Sequence, residues 1–476
     1  MTISLRQTST AIPFFIAPGG QPLRERLLLI SYTFPPSQTV GALRWQKMAA
    51  FVAERGWELD VITLDPAEIA VADHSRLSEL PPGTRVFSVS RRESLPHRVQ
   101  RLVWRAVRDP IRRVSSPGEI HVALGTGPQQ SELTYVNKSA LMRAHLARME
   151  HATMSRLAQD TARLARTIVR PGVHRAVVSS GPDHMAHEAA RAIAAGTAMP
   201  FVIDMRDAWA SASAMPDEFA SPTWLRLAER LERRAVHAAS LIVVNTEPFR
   251  DLMCARYPAR CDRILTVMNG YDEEPMPSPA HGTRFVIGCS GSLYAGRNPR
   301  VLFRAAARVV GSLGLTPEQF GIEFVGDDSC EGVSVGEIAA KEGMESFVSV
   351  WGRHPRRAAF EKLARAALLV DLPQVTPLAI PAKIFEFLQF DAWLLALAEP
   401  ASATARLLED SGAHVVSPNA VDAIAAVIRA RYLEYAGGVR PTRLAQGGRF
   451  SRREQAGIFL DALEQALSVP EMPAGV

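Results

Sequence analysis

Short, continuous apolar runs that alternate with stretches of helical period constrain this chain more than any other feature. Apolar strands of that length belong in a parallel sheet covered on both faces. Residues 26–32 (RLLLISY) form the first such run, closed by the breaker Phe34-Pro35-Pro36. From Gly41 onward Trp45, Met48, Ala49 and Val52 fall at i, i+3, i+4 and i+7, the buried stripe of a helix. Gly56 stops that helix and 61–64 reads as a second strand. Strand signals return at 176–180, 201–205 and 241–245, with a last one leading to Asn269-Gly270. Between about 66 and 173 they are few, while Arg, Ser and Pro are frequent, which predicts a helical insertion.

The pattern restarts after Pro275-Met276-Pro277-Ser278-Pro279, which reads as an interdomain linker. Runs at 285–289, 322–326, 348–351, 367–372, 393–398 and 415–416 alternate with helices and give a second doubly wound sheet. A length of 476 residues exceeds what one hydrophobic core supports. The expected architecture is therefore α/β: two Rossmann-like, doubly wound parallel-sheet domains facing across a cleft. The expected divisions are a tail at 1–24, a first domain at 25–280, a second at 281–446, and a C-terminal helix at 447–476 that crosses back to the first domain. A hydrophobic content of 47% and a charged content of 22% describe an ordinary globular protein.

A formal charge of +5 suits a phosphate-bearing ligand or an anionic membrane surface and selects neither. Cys254, Cys261, Cys289 and Cys330 show no CxxC pair and no metal-ligand spacing with histidine, so neither a zinc site nor a disulfide framework is indicated. A reducing compartment is expected. No run approaches the roughly 18 apolar residues of a membrane-spanning helix, and the run 11–18 lacks the charged region of a secretory signal. A cytoplasmic location follows as the expectation. Segment 91–114, thick with arginines around Leu102, Val103, Trp104 and Val107, is a candidate peripheral contact with the inner membrane. A solvated helix interrupted by Pro110 is its plain alternative.

In open α/β sheets ligands bind beyond the carboxyl ends of the strands, so the residues there are the ones to interrogate. Ser290-Gly291-Ser292-Leu293-Tyr294-Ala295-Gly296-Arg297-Asn298-Pro299 follows the first strand of the second domain. Its small residues let a diphosphate approach the backbone and Arg297 offers a bidentate clamp, although Gly and Asn make any strand-to-helix turn. Pro381, Ala382, Lys383 and Glu386 open another helix. Lys383 there can neutralise a phosphate and Glu386 can accept from ribose hydroxyls, or the two can form an exposed i,i+3 ion pair. In the first domain His184 and His187 follow Ser179-Ser180-Gly181-Pro182-Asp183, where His184 can bond a sugar hydroxyl. Arg206 and Asp207 are candidates either for acceptor contact or for a mutual salt bridge.

These segments resemble, in order and over most of the chain, the retaining GT-B-fold glycosyltransferases of family 4 (group 1), of the bacterial surface-polysaccharide type. YTFPPSQTVGALRW resembles the opening motif, SSGPDHMAH and IDMRDAW the mid-domain loops, and RLERRAVHAASLIVVNTEPF with MNGYD the end of the first domain. GSLYAGRNP, FVGDD and IPAKIFEFLQF resemble the donor half. The resemblance implies that Arg297 and Lys383 bind the donor diphosphate and Glu386 the ribose. It sets Gly352-Arg353-His354 near the base, Gly41 beside the transferred sugar, and His184 on a sugar hydroxyl. Gly291, Ser292, Pro381 and Ala382 complete the donor-binding set, and His184, Arg297 and Lys383 are the candidate catalytic residues. One departure stands out: eight positions before Glu386 the family often has a Glu, and here Leu378 occupies it.

The implied activity moves a sugar from a nucleotide-sugar donor to a glycan or lipid-linked acceptor, with retention. No D-x-D triplet occurs, so no metal and no cofactor are expected, and the charge of the leaving diphosphate falls to Arg297, Lys383 and helix N-termini. A sugar-nucleotide 2-epimerase of the same architecture is the alternative enzyme, and the Leu378 departure admits a degenerate, non-catalytic donor-binding protein. Nucleic-acid binding is disfavoured because aromatics are not interleaved with Lys and Arg outside one segment. A dehydrogenase is disfavoured because Gly125-Thr126-Gly127 is followed by Gln130 where the dinucleotide fingerprint needs its last Gly.

Overall fold

The computed structural model of the chain describes residues 11–21, 24–92, 140–211, 220–291, 293, 297–330, 332–373, 376–444 and 447–468. The described chain forms two compact units. The first takes in the described residues among 1–244, 253–267 and 456–476, the second those among 245–252 and 268–455.

The first unit is built on an eight-stranded sheet of β1 (Phe15–Ile16), β2 (Arg26–Ile30), β3 (Glu58–Leu64), β4 (Arg85–Val89), β5 (His174–Gly181), β6 (Phe201–Met205), β7 (Leu241–Val244) and β8 (Ile264–Thr266). The order is β1-β4-β3-β2-β5-β6-β7-β8, with only β1 antiparallel. Chain progression reverses between β2 and β5, so this pair is the topological switch point. The predicted stripe of the helix Val40–Glu54 is realised: Trp45, Met48, Ala49 and Val52 bury against Leu27, Leu29, Val61 and Val178.

Two expectations are corrected here. The stretch 66–173 is not purely a helical insertion, because β4 lies inside it and joins the sheet between β1 and β3. RVFSV buries Val86, Phe87 and Val89 yet is short and lies among Arg and Ser, which hid its strand character. The long helix Ala140–Ile168 occupies its end, and most of segment 91–114 lies outside the described residues. Cys254 and Cys261 are joined as a disulfide, with Cα atoms 4.7 Å apart, where the spacing indicated no disulfide framework and a reducing compartment was expected. The helix Glu247–Arg256 and the turn Pro258–Arg263 fold back on each other and bring the pair within bridging reach without any CxxC spacing. Cys289 and Cys330 are free and buried.

At the amino ends of the strands sits a buried charge network. Arg26 donates to Asp60 and pairs with Glu58, Arg85 donates to Asp60, and His174 Nε2 lies 3.0 Å from Asp60 Oδ2. Asp60 is fully buried, so its charge is tolerated because Arg26, Arg85 and His174 all bond to it.

The second unit holds a six-stranded, all-parallel sheet of β9 (Phe285–Gly291), β10 (Phe320–Gly326), β13 (Val348–Val350), β14 (Leu368–Asp371), β15 (Trp393–Leu397) and β16 (His414–Val416), in the order β13-β10-β9-β14-β15-β16. A small hairpin, β11 (Ser329–Cys330) with β12 (Val333–Ser334), stands apart. The switch point of this sheet is β9 beside β14. Phe285, Phe303, Phe320 and Phe324 pack face and edge at one side of it, and Ile384, Phe385, Phe387 and Leu388 cover the other. Among the described residues no helix is long and apolar enough to cross a membrane.

Candidate functional site

In the second unit β9 and β14 run side by side, with Cys289 opposite Val370, and deliver their carboxyl ends to one place. Gly291 closes β9 at φ +97°, a left-handed conformation natural only to glycine. An added side-chain carbon there would meet nothing nearer than the Lys383 Cδ and Nζ atoms at 3.9 Å, so Lys383 lies over this turn. The end of β10 presses in from the other side. Gly326, at φ +143°, approaches so closely that a Cβ would fall 2.5 Å from the Gly291 carbonyl oxygen.

Lys383 leaves the first turn of the helix Ala382–Phe387, which opens after Pro381. Its ammonium donates to the Ser290 carbonyl at 2.9 Å and lies 3.1 Å from Asp371 Oδ1. Asp371 ends β14 and is 2% exposed. Burial pushes its carboxyl above the usual range, opposed by the charges of Lys383 and Arg297. Arg297, itself buried, therefore shares this neighbourhood. The Cys289 thiol beneath is pushed up to about 12 by burial and stays neutral. The same helix points Glu386 at Arg356, whose guanidinium pairs with it, faces Asp272 and Glu274, and lies 4.4 Å over the Phe360 ring.

The structure thus brings Gly291, Arg297, Pro381, Ala382 and Lys383 to one switch point, with Glu386 one turn along. The i,i+3 pairing of Lys383 with Glu386 does not occur, since each has a different partner. Gly352 adjoins the site through its carbonyl, which accepts from the Gly326 amide at 2.9 Å. Arg353 points into solvent and pairs with Asp327. Ser292 lies outside the described residues. Leu378 is held through its backbone, its carbonyl accepting from the Thr246 hydroxyl at 2.7 Å.

The first unit gathers its own set at the β2–β5 switch point. Arg206 donates to the carbonyls of Gly181, Gly41 and Pro182 at 2.7, 2.8 and 3.1 Å. Its guanidinium tip would crowd any side chain at Gly41, 2.9 Å from an added Cβ. Arg206 therefore ties three loops together rather than pairing with Asp207, which is exposed. His184 stacks on Trp209 with ring centroids 5.4 Å apart, and the His187 ring is 5.6 Å from it. The Ser179 hydroxyl donates to the Val202 carbonyl and accepts from His187 Nδ1, which leaves His187 Nε2 as an acceptor. That atom and His184 Nδ1 are buried without a hydrogen-bond partner among the described residues, and both face Gly181, where a Cβ would lie 2.6 and 3.0 Å from them. Burial depresses both imidazoles, His187 to about 3, aided by the Arg206 charge.

Sequence reasoning passed over Asp371, Arg356 and the Ser179–His187 pair. Asp371 carried a signal: a carboxylate closing an otherwise apolar strand at the switch point needs a cationic partner. Arg356 carried none, because its partner lies 30 residues away.

No protein-family model matches the sequence, and no curated protein matches it. Solved structures do resemble the fold. HepE of Anabaena, solved with UDP and glucose, superposes with a TM-score of 0.57 at 15% identity over 93% of this chain and 99% of its own. A UDP-forming α,α-trehalose-phosphate synthase from Burkholderia xenovorans, solved with glucose-6-phosphate, gives 0.54 at 11% identity over 93% and 100%. The lipopolysaccharide outer core galactosyltransferase WaaB gives 0.52 at 11% over 92% and 99%. The chain therefore shares with these glycosyltransferases the GT-B fold, two doubly wound domains in one polypeptide.

Proposed function

We propose that the protein is a cytoplasmic, retaining, metal-independent glycosyltransferase that moves a sugar from a nucleotide-sugar donor to a glycan or lipid-linked acceptor. The observation that carries this reading is the grouping of Lys383 and Arg297 around the glycine-lined end of β9. Two cations at backbone that can approach a ligand closely suit a diphosphate, which needs charge neutralisation more than shape. Glu386, reached through Arg356, is the acceptor for ribose hydroxyls, and His184 with its neutral ring is a hydrogen-bonding partner for a sugar hydroxyl. The UDP-bound neighbour HepE, of the same fold, supports a uridine nucleotide as the first to test.

A thermal-shift screen against nucleoside diphosphates and their sugar conjugates tests this, because a ligand that binds the native state raises its melting temperature. Arg297→Gln and Lys383→Gln, checked by circular dichroism for intact fold, are expected to lower donor affinity at least about tenfold each, as loss of a charge-assisted contact does. Undiminished affinity in both variants overturns the assignment. Incubation with UDP-sugar alone separates this reading from an epimerase, which would release an epimer without acceptor.

A further inference from the structure

Asp371 is out of place at a diphosphate site. Its carboxylate lies 3.1 Å from the ammonium that would meet the phosphate, buried to 2% exposure and fixed on a central strand between β9 and β15. A diphosphate laid over Gly291 beside Lys383 brings like charges together where solvent screens them little. The carboxylate has three ways out: to move, to exclude the phosphate, or to lose its charge. Withdrawal into solvent is closed, because the backbone of Asp371 is register-paired with Ala396 and its side chain is buried on all sides.

Resting on the donor-site reading above, we propose that Asp371 is a displaceable counter-charge. It holds the Lys383 ammonium at the end of β9 in the protein without donor, and takes a proton from solvent when a nucleotide-sugar diphosphate takes its place. The proton goes onto a carboxylate oxygen, Lys383 turns its charge to the phosphate, and no covalent bond changes. The groups facing Asp371 are Lys383 from the helix Ala382–Phe387, Arg297 from the loop after β9 and the neutral Cys289 thiol from β9. β15 (WLLAL) brings no titratable group. Burial already favours the neutral acid, and withdrawing Lys383 favours it further, so donor binding takes up a proton and tightens as pH falls.

Isothermal titration of the full chain with UDP-glucose and, in parallel, GDP-mannose tests this. Their pyrophosphate diesters carry no phosphate proton that titrates near neutrality, unlike a free nucleoside diphosphate. Measured at pH 7 in PIPES and in Tris, whose protonation heats differ, the wild type is expected to take up more than about half a proton per donor bound. Its affinity is expected to fall at least about threefold from pH 6 to pH 8, within the limit of about tenfold per pH unit for one whole proton. In Asp371→Asn both effects are expected to vanish while binding persists. Zero uptake by the wild type overturns the inference without any variant, as does equal uptake in Asp371→Asn; both outcomes leave the donor site standing. Binding of neither nucleotide sugar overturns the donor-site reading and the inference together.

Discussion

His184 and His187 are imidazoles that burial keeps neutral, and that has a measurable cost in acid. The unfolded chain binds protons at both as pH falls below about 6.5, while the folded chain does not until far lower, near about 3 for His187. Stability contributed by the two rings is thus complete above about 6.5 and is lost progressively on acidification. Melting curves from pH 7.5 to 4 are expected to fall, and to fall less steeply in His187→Gln, which retains a partner for Ser179. Asp60 acts in a lower window. Burial alone would raise its carboxyl, but hydrogen bonds from His174 and Arg85 with the charges of Arg26 and Arg85 outweigh it and hold the group at about 2. Its contribution, on the order of 2 kcal/mol, is present above about pH 4 and disappears as pH falls through about 2. Placement beyond a strand end was legible where a motif carried it, as at Arg297, Lys383 and His184. Asp371 and Arg356 were not legible, because what defines them is a charge brought near by the fold. An Asp at the end of LLVD reads as the end of a strand until the lysine opposite is seen.

At the level of elements, the approach of β10 to β9 is the tightest feature of the candidate site. Gly326 has both a φ of +143° and a neighbouring backbone oxygen 2.5 Å from any added Cβ. Neither can be relieved by a side-chain rotation. Gly326→Ala is expected to destabilise the second unit by more than about 1 kcal/mol, read by chemical denaturation, and to weaken donor binding by displacing Gly291. Strand and helix types were readable where the period was clean, as in 26–30 and in the helix after Gly41. β4 was not, since three buried residues among five, beside Arg- and Ser-rich sequence, leave too short a pattern. The Cys254–Cys261 bridge was unreadable for a similar reason: a helix end and a turn, not sequence spacing, make its geometry.

At the scale of the molecule, two repeats of strand order around a switch point explain why both candidate constellations lie beyond strand ends. That much followed from apolar runs alone. The first unit is closed by sequence from the far end of the chain. Phe459, Leu460 and Leu463 of the helix Arg452–Ser468 bury in its core, and the Phe459 ring stands edge-on to Trp45 at 5.6 Å, while Arg55 pairs with Asp461 and Glu464 on the surface. Phe459→Ala is expected to cost about 3–5 kcal/mol, measured as a lowered midpoint of the first unit's unfolding. The surface pairs contribute little by comparison.

That returning helix also dictates how the protein can be dissected. A fragment cut after Val267 carries the whole first sheet but exposes the apolar floor on which Phe459 rests, so it is expected to aggregate or melt early when expressed by itself. Supplying residues 452–468 as a separate peptide, or grafting them through a loop by circular permutation, should restore a soluble, cooperatively melting half. A stretch made after the whole of the second sheet is thus the one that completes the first.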